Sequence, residues 1–476
     1  MQKSKSRLLS FPNRMKGEQG ETLKHVTGKK DSFNAFSLAF IGIGGIIGAG
    51  FFLASGMPIQ QAGPGVLISY LFGALIMSQV LGSITSIAVN HPVRGSFRVY
   101  AEEMLGSYVG FLQGWVFFTS GVLAVTSEAV AMSIFAKLWM PQIPLSIMAT
   151  SFVALIVVLN AFGVKNFGNI ESVMSIVKVA ALVGFILVGV LVIFGVIGGG
   201  AGISMSNLAQ GKGGFLPNGW SGVLQAMLIV IFSYSGIGVI ANAVSEVRDP
   251  QRMIPKATTG LIVSITVLYV ASTALLLLMY PWRLINTKHS PFVVALQAMH
   301  LPLLATILNG IVLIAAFSVM AGSLYSIMSI LRSLGEANKA PRFVLKETKN
   351  GHPVGALLSC ALAMAAALIL AYLLPAKVYN YLTSASAYFT FLNWTIMILT
   401  FLIWRKRGYK KGDYVSRWAF SQPYGQYITI AAIVALSVFS LWDKDQRIGF
   451  YYAFGIFILV SVGFYFSERR RIRTND

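Results

Sequence analysis

Long apolar stretches recur along this chain, and each is suited to a solvent other than water. A helix that crosses a bilayer needs about 20 predominantly apolar residues, because its backbone polar groups must be satisfied within the segment. Twelve stretches fit this description: 34–54, 65–89, 107–136, 145–163, 170–197, 220–243, 257–281, 301–331, 353–374, 378–403, 427–442 and 448–467. Of the 476 residues, 56% are hydrophobic and only 11% charged, whereas a soluble domain carries about 25% charged residues. The expected fold is an all-α integral membrane protein with 12 transmembrane helices. The second, third and eighth stretches exceed the bilayer thickness, so tilt or extension beyond the membrane is expected there.

A net charge of +21 would point to nucleic acid in a soluble protein. With the N-terminus inside, however, 29 of the 37 basic residues fall in cytoplasmic segments, 7 fall opposite, and Lys178 lies within a span. That asymmetry obeys the positive-inside rule, so both termini are expected to be cytoplasmic. The basic residues flank helix ends instead of interleaving with aromatics, so no nucleic-acid partner is expected. The N-terminal tail has no apolar core before Phe33, and no cleavable signal peptide is expected. Short loops then suggest a prokaryotic plasma membrane. A single cysteine, Cys360, excludes an intramolecular disulfide, and five dispersed histidines suggest no metal cluster.

The longest connections, 198–219 and 332–352, are about 22 residues and leave no room for a soluble catalytic domain. The expected organisation is a cytoplasmic tail at 1–33, a core at 34–403, a cytoplasmic loop at 404–426, a helical pair at 427–467 and a tail at 468–476. No His–Glu metal motif or paired Asp cluster is present, which argues against an enzyme. The glycine run at 42–50 fails as G-x-G-x-x-G because Ile47 takes the sixth position, and Gly213 follows Gly211-Lys212 where a phosphate loop needs Ser or Thr. No cofactor is expected, and a primary pump is excluded unless a partner subunit supplies the nucleotide site.

The first span holds glycines at 42, 44, 45, 48 and 50, each costing roughly 1 kcal/mol against alanine in a helix. Close helix packing accounts for the Gly44/Gly48 spacing but not for Gly42, Gly45 and Gly50. An unwound break is favoured. Five spans later, Phe232-Ser-Tyr-Ser-Gly-Ile-Gly238 interrupts another apolar helix. Interruptions at corresponding positions of two five-helix halves, about 34–197 and 220–403, point to an inverted-repeat transporter with a midplane site. A broken helix frees N–H groups that suit a carboxylate and C=O groups that suit an ammonium or a sodium ion. Such a site fits a zwitterion.

Lys178 sits within the fifth span. A lysine at mid-span costs about 2.5–3.5 kcal/mol on insertion scales and is by default a functional candidate; snorkelling to the near face is the alternative. Glu128, in the outer part of the third span, either faces the vestibule or reaches interfacial water near Lys137. Glu171 suits the start of the fifth helix as a structural carboxylate. Thr383, Ser384, Ser386, Tyr388, Thr390 and Asn393 mark either an interior-facing surface or a hydrogen-bonded seam on the tenth span. Arg94, Glu246, Arg248 and Asp249 form either an inside gate or solvated loops.

These residues resemble the amino acid–polyamine–organocation permeases over about 35–470. The resemblance rests on Gly45-Ile-Ile-Gly-Ala-Gly-Phe-Phe52, Ala62-Gly-Pro-Gly65, His91-Pro-Val-Arg-Gly-Ser-Phe-Arg-Val-Tyr100 with Gly106 and Gly114-Trp115, and Ser245-Glu-Val-Arg-Asp-Pro-Gln-Arg-Met-Ile-Pro-Lys-Ala257. It is closest to the broad-specificity, proton-coupled prokaryotic members. It implies a five-plus-five inverted repeat with broken helices 1 and 6 and two trailing helices. It also implies that the substrate carboxylate takes the amides of Gly48, Ala49 and Gly50, and that the ammonium takes carbonyls of Ile46, Phe232 and Ser235 beneath a Phe232 lid. Relatives handling cationic substrates carry Glu where this chain has Gly238, so neutral amino acids are expected. In the proton-coupled members a lysine matching Lys178 places its ammonium where sodium-coupled relatives bind a cation, and Ser318 is its expected hydroxyl neighbour. Burial penalises the charged form of a lysine, so access from alternating sides could load and release a proton. The expected function is alternating-access import of amino acids across the plasma membrane with protons, by a monomer or homodimer. An obligate exchanger and a non-transporting nutrient sensor remain the alternatives.

Overall fold

The computed structural model describes residues 35–93, 96–161, 167–197, 205–208, 213–238, 247, 249–349, 351–373 and 377–475. All regular structure among the described residues is helical. The first stretch divides into α1 (Ala35–Ile46), α2 (Ala49–Phe52) and α3 (Gly56–Ala62). There follow α4 (Val66–Asn90), a short α5 (Ser96–Leu105), α6 (Ser107–Ala136), α7 (Leu145–Ala161) and α8 (Phe167–Ile193). The second half holds α9 (Gly219–Ser233), α10 (Pro250–Met279), a short α11 (Pro291–Ala298), α12 (Pro302–Glu336), α13 (Val354–Leu373) and α14 (Val378–Arg407). Two further helices, α15 (Tyr424–Phe439) and α16 (Lys444–Asn475), close the chain. Among the described residues, nine helical segments are long and apolar enough to cross a membrane, and Leu145–Ala161 and Val354–Ile369 are shorter apolar helices.

The helix boundaries have local causes. Asp249 caps α10, its carboxylate accepting from the Arg252 amide, with Pro250 at the first helical position where no N–H is needed. Gly106, at φ 98°, separates α5 from α6 with a backbone that a side chain would strain. The short helices α3, α5 and α11 are absent from the hydropathy reading, since none is long enough to cross a bilayer.

Packing expresses the repeat directly. If α1, α4, α6, α7 and α8 are exchanged for α9, α10, α12, α13 and α14 respectively, the pattern of touching helices is largely preserved. The α1–α8 contact becomes α9–α14, α1–α10 becomes α9–α4, α8–α12 becomes α14–α6, and α8–α10 becomes α14–α4. The pairs α4–α10, α6–α12 and α7–α13 map onto themselves. This is the contact pattern of a two-fold-related five-plus-five fold. The trailing α15 and α16 both pack on α14. Outward faces carry exposed Leu362, Ile428 and Leu459. Such a surface is costly in water and neutral against lipid chains.

Candidate functional site

The site is built where two helices stop halfway. Helix α1 ends at Ile46, Gly48 is fully extended (φ −148°, ψ −162°), and the helix restarts at Ala49. In the other half α9 ends at Ser233 and the chain turns through Tyr234 into a short 3₁₀ turn at Ser235–Ile237. The two breaks press backbone against backbone. A Cβ on Gly236 would fall 2.1 Å from the Gly45 carbonyl oxygen, an approach that only glycine permits. Phe232 lies on Gly50, its ring 3.0 Å from where a Cβ would stand.

Surrounding helices satisfy carbonyls of the interrupted segments. The Ser233 hydroxyl donates to the Gly50 oxygen at 2.6 Å, and the Tyr379 hydroxyl donates to the Ala49 oxygen at 3.0 Å. The Tyr269 hydroxyl lies 3.2 Å from the Ser233 oxygen and 3.4 Å from that of Ile46. The amide end is held differently. Glu128, buried on α6, accepts from the Ala49 amide at 3.0 Å and the Gly50 amide at 3.4 Å. At the other side of the break, the fully buried Lys178 donates to the Gly44 carbonyl at 2.5 Å. A carboxyl group therefore stands at the N-terminus of α2 and an amine at the C-terminus of α1, each at the helix end whose dipole favours its charged form. Sequence reasoning left Glu128 undecided between vestibule and interface; the structure puts its carboxylate on the broken helix. Ser318 is fully buried on α12, which packs against both α1 and α8.

A cavity of about 110 Å³ opens from the breaks. Of the sequence-expected residues, Ile46, Gly50, Phe232, Ser235 and Gly238 line it, whereas Gly48, Ala49, Lys178 and Ser318 do not. It extends along α6, α12 and α14 past Phe117, Ile327 and Met397, toward the end of the bundle that carries α5. Toward the other end the path is filled: Phe51 stacks on Tyr269 at 3.8 Å between ring centroids, and Phe292 packs on both Phe51 and Phe52. Two lining groups were not singled out as site residues from sequence. Trp394 and Phe117 add aromatic wall, and Phe117 with Phe97 packs over Gly238, where a Cβ would meet Phe97 at 3.1 Å. Asn393 was flagged only within a polar run; it lines the cavity with a buried Oδ1 that has no protein partner.

The polar run on α14 is divided between two roles. Ser386 and Ser120 on α6 exchange hydroxyl-to-carbonyl hydrogen bonds at 3.0 and 3.2 Å, a seam that fixes the two helices. The Tyr388 and Ser440 hydroxyls, 2.6 Å apart, tie α14 to the segment after α15. Thr390 and Asn393 face the cavity. Of the loop charges named above, Arg94, Glu246 and Arg248, like the side chain of Glu171, lie outside the described residues, and Asp249 is a helix cap.

A different ion cluster lies at the α5 end. Glu102 pairs with Arg98 one turn earlier and accepts from Lys339 at 2.6 Å. Arg98 also donates to Ser333 at 2.8 Å, and Lys339 to the Ser107 carbonyl at 3.0 Å. Arg98 and Lys339 are buried, so this cluster bolts α5 onto the end of α12. Its sequence signal was the i, i+4 spacing of Arg98 and Glu102, visible only once a helix is assigned there.

Comparison with known proteins now bears on this geometry. The sequence profile of the amino acid permease family matches residues 37–476. The chain belongs to that family. It is 33% identical over 424 residues to the γ-aminobutyric acid permease of Bacillus subtilis, covering 88% of this chain and 90% of that protein. It is 32% identical over 456 residues to the aromatic amino acid transport protein AroP of Escherichia coli K12, covering 96% and 98%. Among solved structures, a manganese transporter of Eremococcus coleocola aligns with a TM-score of 0.59 at 13% identity, covering 92% of this chain and 94% of that one. Together these make the protein a multi-pass membrane permease with the helical transporter fold.

Two outcomes follow from the site's packing. Gly236→Ala should lower the melting temperature of the detergent-purified permease by on the order of 5 °C, since its Cβ would overlap backbone. Gly322→Ala, which faces open space, should leave it unchanged. In the ion cluster, Glu102→Gln strands two buried cations and should destabilise more than Lys339→Gln, which strands none; breaking such pairs costs about 3–5 kcal/mol at full burial, and less here because Glu102 is partly exposed. The same melting assay checks that order.

Proposed function

We propose that this permease is a secondary active importer of neutral amino acids, working by alternating access and driven by protons. The single observation that carries the reading is the carboxylate of Glu128 on the amides of Ala49 and Gly50, with Lys178 on the opposite side of the same break. A free amino acid presents the same group as Glu128. For its carboxylate to take those amides, with that of Gly48, Glu128 must give them up. Two carboxylates cannot share one desolvated site while both are ionised, because like charges there favour protonation of one. Substrate arrival therefore draws a proton onto Glu128, which links the two loads. The substrate ammonium meets carbonyls of Ile46, Phe232 and Ser235 beneath the Phe232 ring.

In this reading Lys178, with Ser318 nearby on α12, occupies the place of a coupling cation. Its ammonium holds α1 to α8 through the Gly44 carbonyl, so loss of its proton would loosen the one from the other. The topology that suits this cycle has 12 spans in two five-helix halves, about 34–197 and 220–403, with both termini and the basic end cytoplasmic. The cavity then opens inward and the Phe51–Tyr269–Phe292 plug seals the outside.

The side-chain pocket favours apolar groups. Gly238 supplies no carboxylate, and Phe97, Phe117 and Trp394 surround the space beyond it. Among the described residues the one acid lining the cavity, Glu128, is taken up by the Ala49 and Gly50 amides, which counts against arginine and polyamines. The relative AroP is named for aromatic amino acids, consistent with such a wall.

Uptake of labelled amino acids into proteoliposomes tests the proposal. Wild type should accumulate neutral substrates under an inward proton gradient and lose them with a protonophore. Lys178→Ala should abolish gradient-driven accumulation while partly preserving substrate binding. Glu128→Gln should retain exchange yet lose the gradient's effect on accumulation. Undiminished coupling in either variant would remove that residue from the mechanism. Uptake only into preloaded vesicles would establish an exchanger, and binding without flux a sensor. Phe117→Ala should raise the half-inhibitory concentration of large apolar amino acids by roughly tenfold, the 1–3 kcal/mol scale of a lost pocket contact, with little effect on alanine.

A further inference from the structure

A second recess lies far from the broken helices. It is a groove of about 610 Å³ on the flank of α10, lined by Pro255, Lys256, Thr259, Tyr414 and Arg417. One wall is the first turns of α10; the other is the segment joining α14 to α15. That segment is not loosely draped. Asn90, at the end of α4, donates to the Tyr414 carbonyl at 2.7 Å and accepts from the Tyr414 amide at 3.0 Å. The Ser416 amide donates to Ser86 at 2.9 Å, and a Cβ on Gly82 would fall 2.5 Å from the Ala419 nitrogen. The groove is therefore preformed against α4.

Its chemistry is that of an anion receptor. Lys256 and Arg417 are exposed at its rim, and neither has an acidic partner among the described residues. The acids closest in sequence are engaged elsewhere, Asp249 with the Arg252 amide and Asp413 with the Lys410 amide. Thr259 accepts from both Arg417 at 3.1 Å and the Trp418 indole at 3.0 Å, which leaves its own proton to donate outward. Arg417 also lies over the Trp418 ring, 5.8 Å from its centroid. Three donors of different type thus line one groove, and the aromatic residues beside them belong to the membrane–water boundary.

What lies next to the groove decides the occupant. Following α10 from Lys256 and Thr259 into the bilayer, the next outward positions on the same helical face are Val263 and Val267, 48% and 58% exposed. A cationic pocket at the interface thus runs without interruption into an apolar, lipid-facing stripe. A free phosphate would use only the first part; a phospholipid uses both.

We propose that this groove binds an anionic phospholipid, its headgroup phosphate held by Lys256, Arg417 and Thr259 and its acyl chain laid along Val263 and Val267. The lipid would tie α10 to the segment before α15, adding to the hydrogen bonds that Thr259 already accepts across it. Since α10 packs on both α1 and α4, occupancy stiffens the support of the broken helix.

The test uses the full-length protein in detergent and in proteoliposomes. Native mass spectrometry with added phosphatidylglycerol should show retained lipid. Lys256→Gln with Arg417→Gln should weaken that retention by about 25-fold, since each cation near an anionic headgroup contributes about fivefold. A control pair, Arg342→Gln with Lys346→Gln, should retain lipid as wild type does. Val263→Ser with Val267→Ser should weaken retention without changing the response to inorganic phosphate. Equal retention by the Lys256/Arg417 variant would overturn the site. Competition by inorganic phosphate as effective as by the lipid, with no effect of the valine changes, would overturn the lipid assignment.

Discussion

The backbone of α1 is interrupted inside a medium that offers no water to its freed amides and carbonyls, and everything else near the site answers that constraint. An unsatisfied backbone group in such surroundings costs several kcal/mol. The chain meets the cost with side chains from other helices: Glu128 from α6 on the amides, Lys178 from α8 on a carbonyl, Tyr379 from α14 on the next. Each is anchored on a helix of the surrounding frame. The frame is itself fixed by seams such as Ser120–Ser386, so the broken helix is gripped by groups whose positions it does not control.

That grip explains why charge belongs here. Serine or asparagine could satisfy the same amides, but neither changes its hydrogen-bonding character with a proton. A carboxylate that gains a proton turns one of its two oxygens into a donor and weakens its hold on the N–H groups it had accepted from. A lysine that loses one forfeits its attraction to a helix C-terminus. Under the proposed reading, the groups that repair the break are also the groups that sense the proton, and the substrate's own ends replace them in turn. Coupling then needs no long pathway, since both loads compete for one set of backbone groups.

Much of this was legible beforehand because the membrane simplifies the code. Apolar length marks helices, glycine clusters mark breaks, and a lone lysine among apolar residues announces itself. The positions of Gly44, Gly48, Phe232 and Lys178 were read on those grounds. Glu128 was harder. Its flanking residues, Ser127 and Ala129, and its distance from the helix end allow either an interfacial or a buried carboxylate, and only the approach of α6 to the α1 break decides it. The Arg98–Glu102–Lys339 cluster was missed because its members lie on a short helix and a loop, where hydropathy carries no signal. The aromatic wall over Gly238 joins Phe97 and Phe117 from separate elements, and no spacing rule connects them.

The same reasoning bears on how the protein sits in its membrane. The basic residues that orient the chain are usually treated as a topological signal spent during insertion. In the folded protein two of them, Lys256 and Arg417, line one groove with a hydroxyl that already accepts two hydrogen bonds. Among the described residues, some cations of that end pair with acids, as Arg332 does with Glu347 and Arg98 with Glu102, and others, such as Arg342 and Lys346, form no such pair. What sets Lys256 and Arg417 apart is the preformed groove that both of them line. Its energetic balance is closed most simply by an anion the membrane itself supplies, on the face of α10 that the acyl chains already cover.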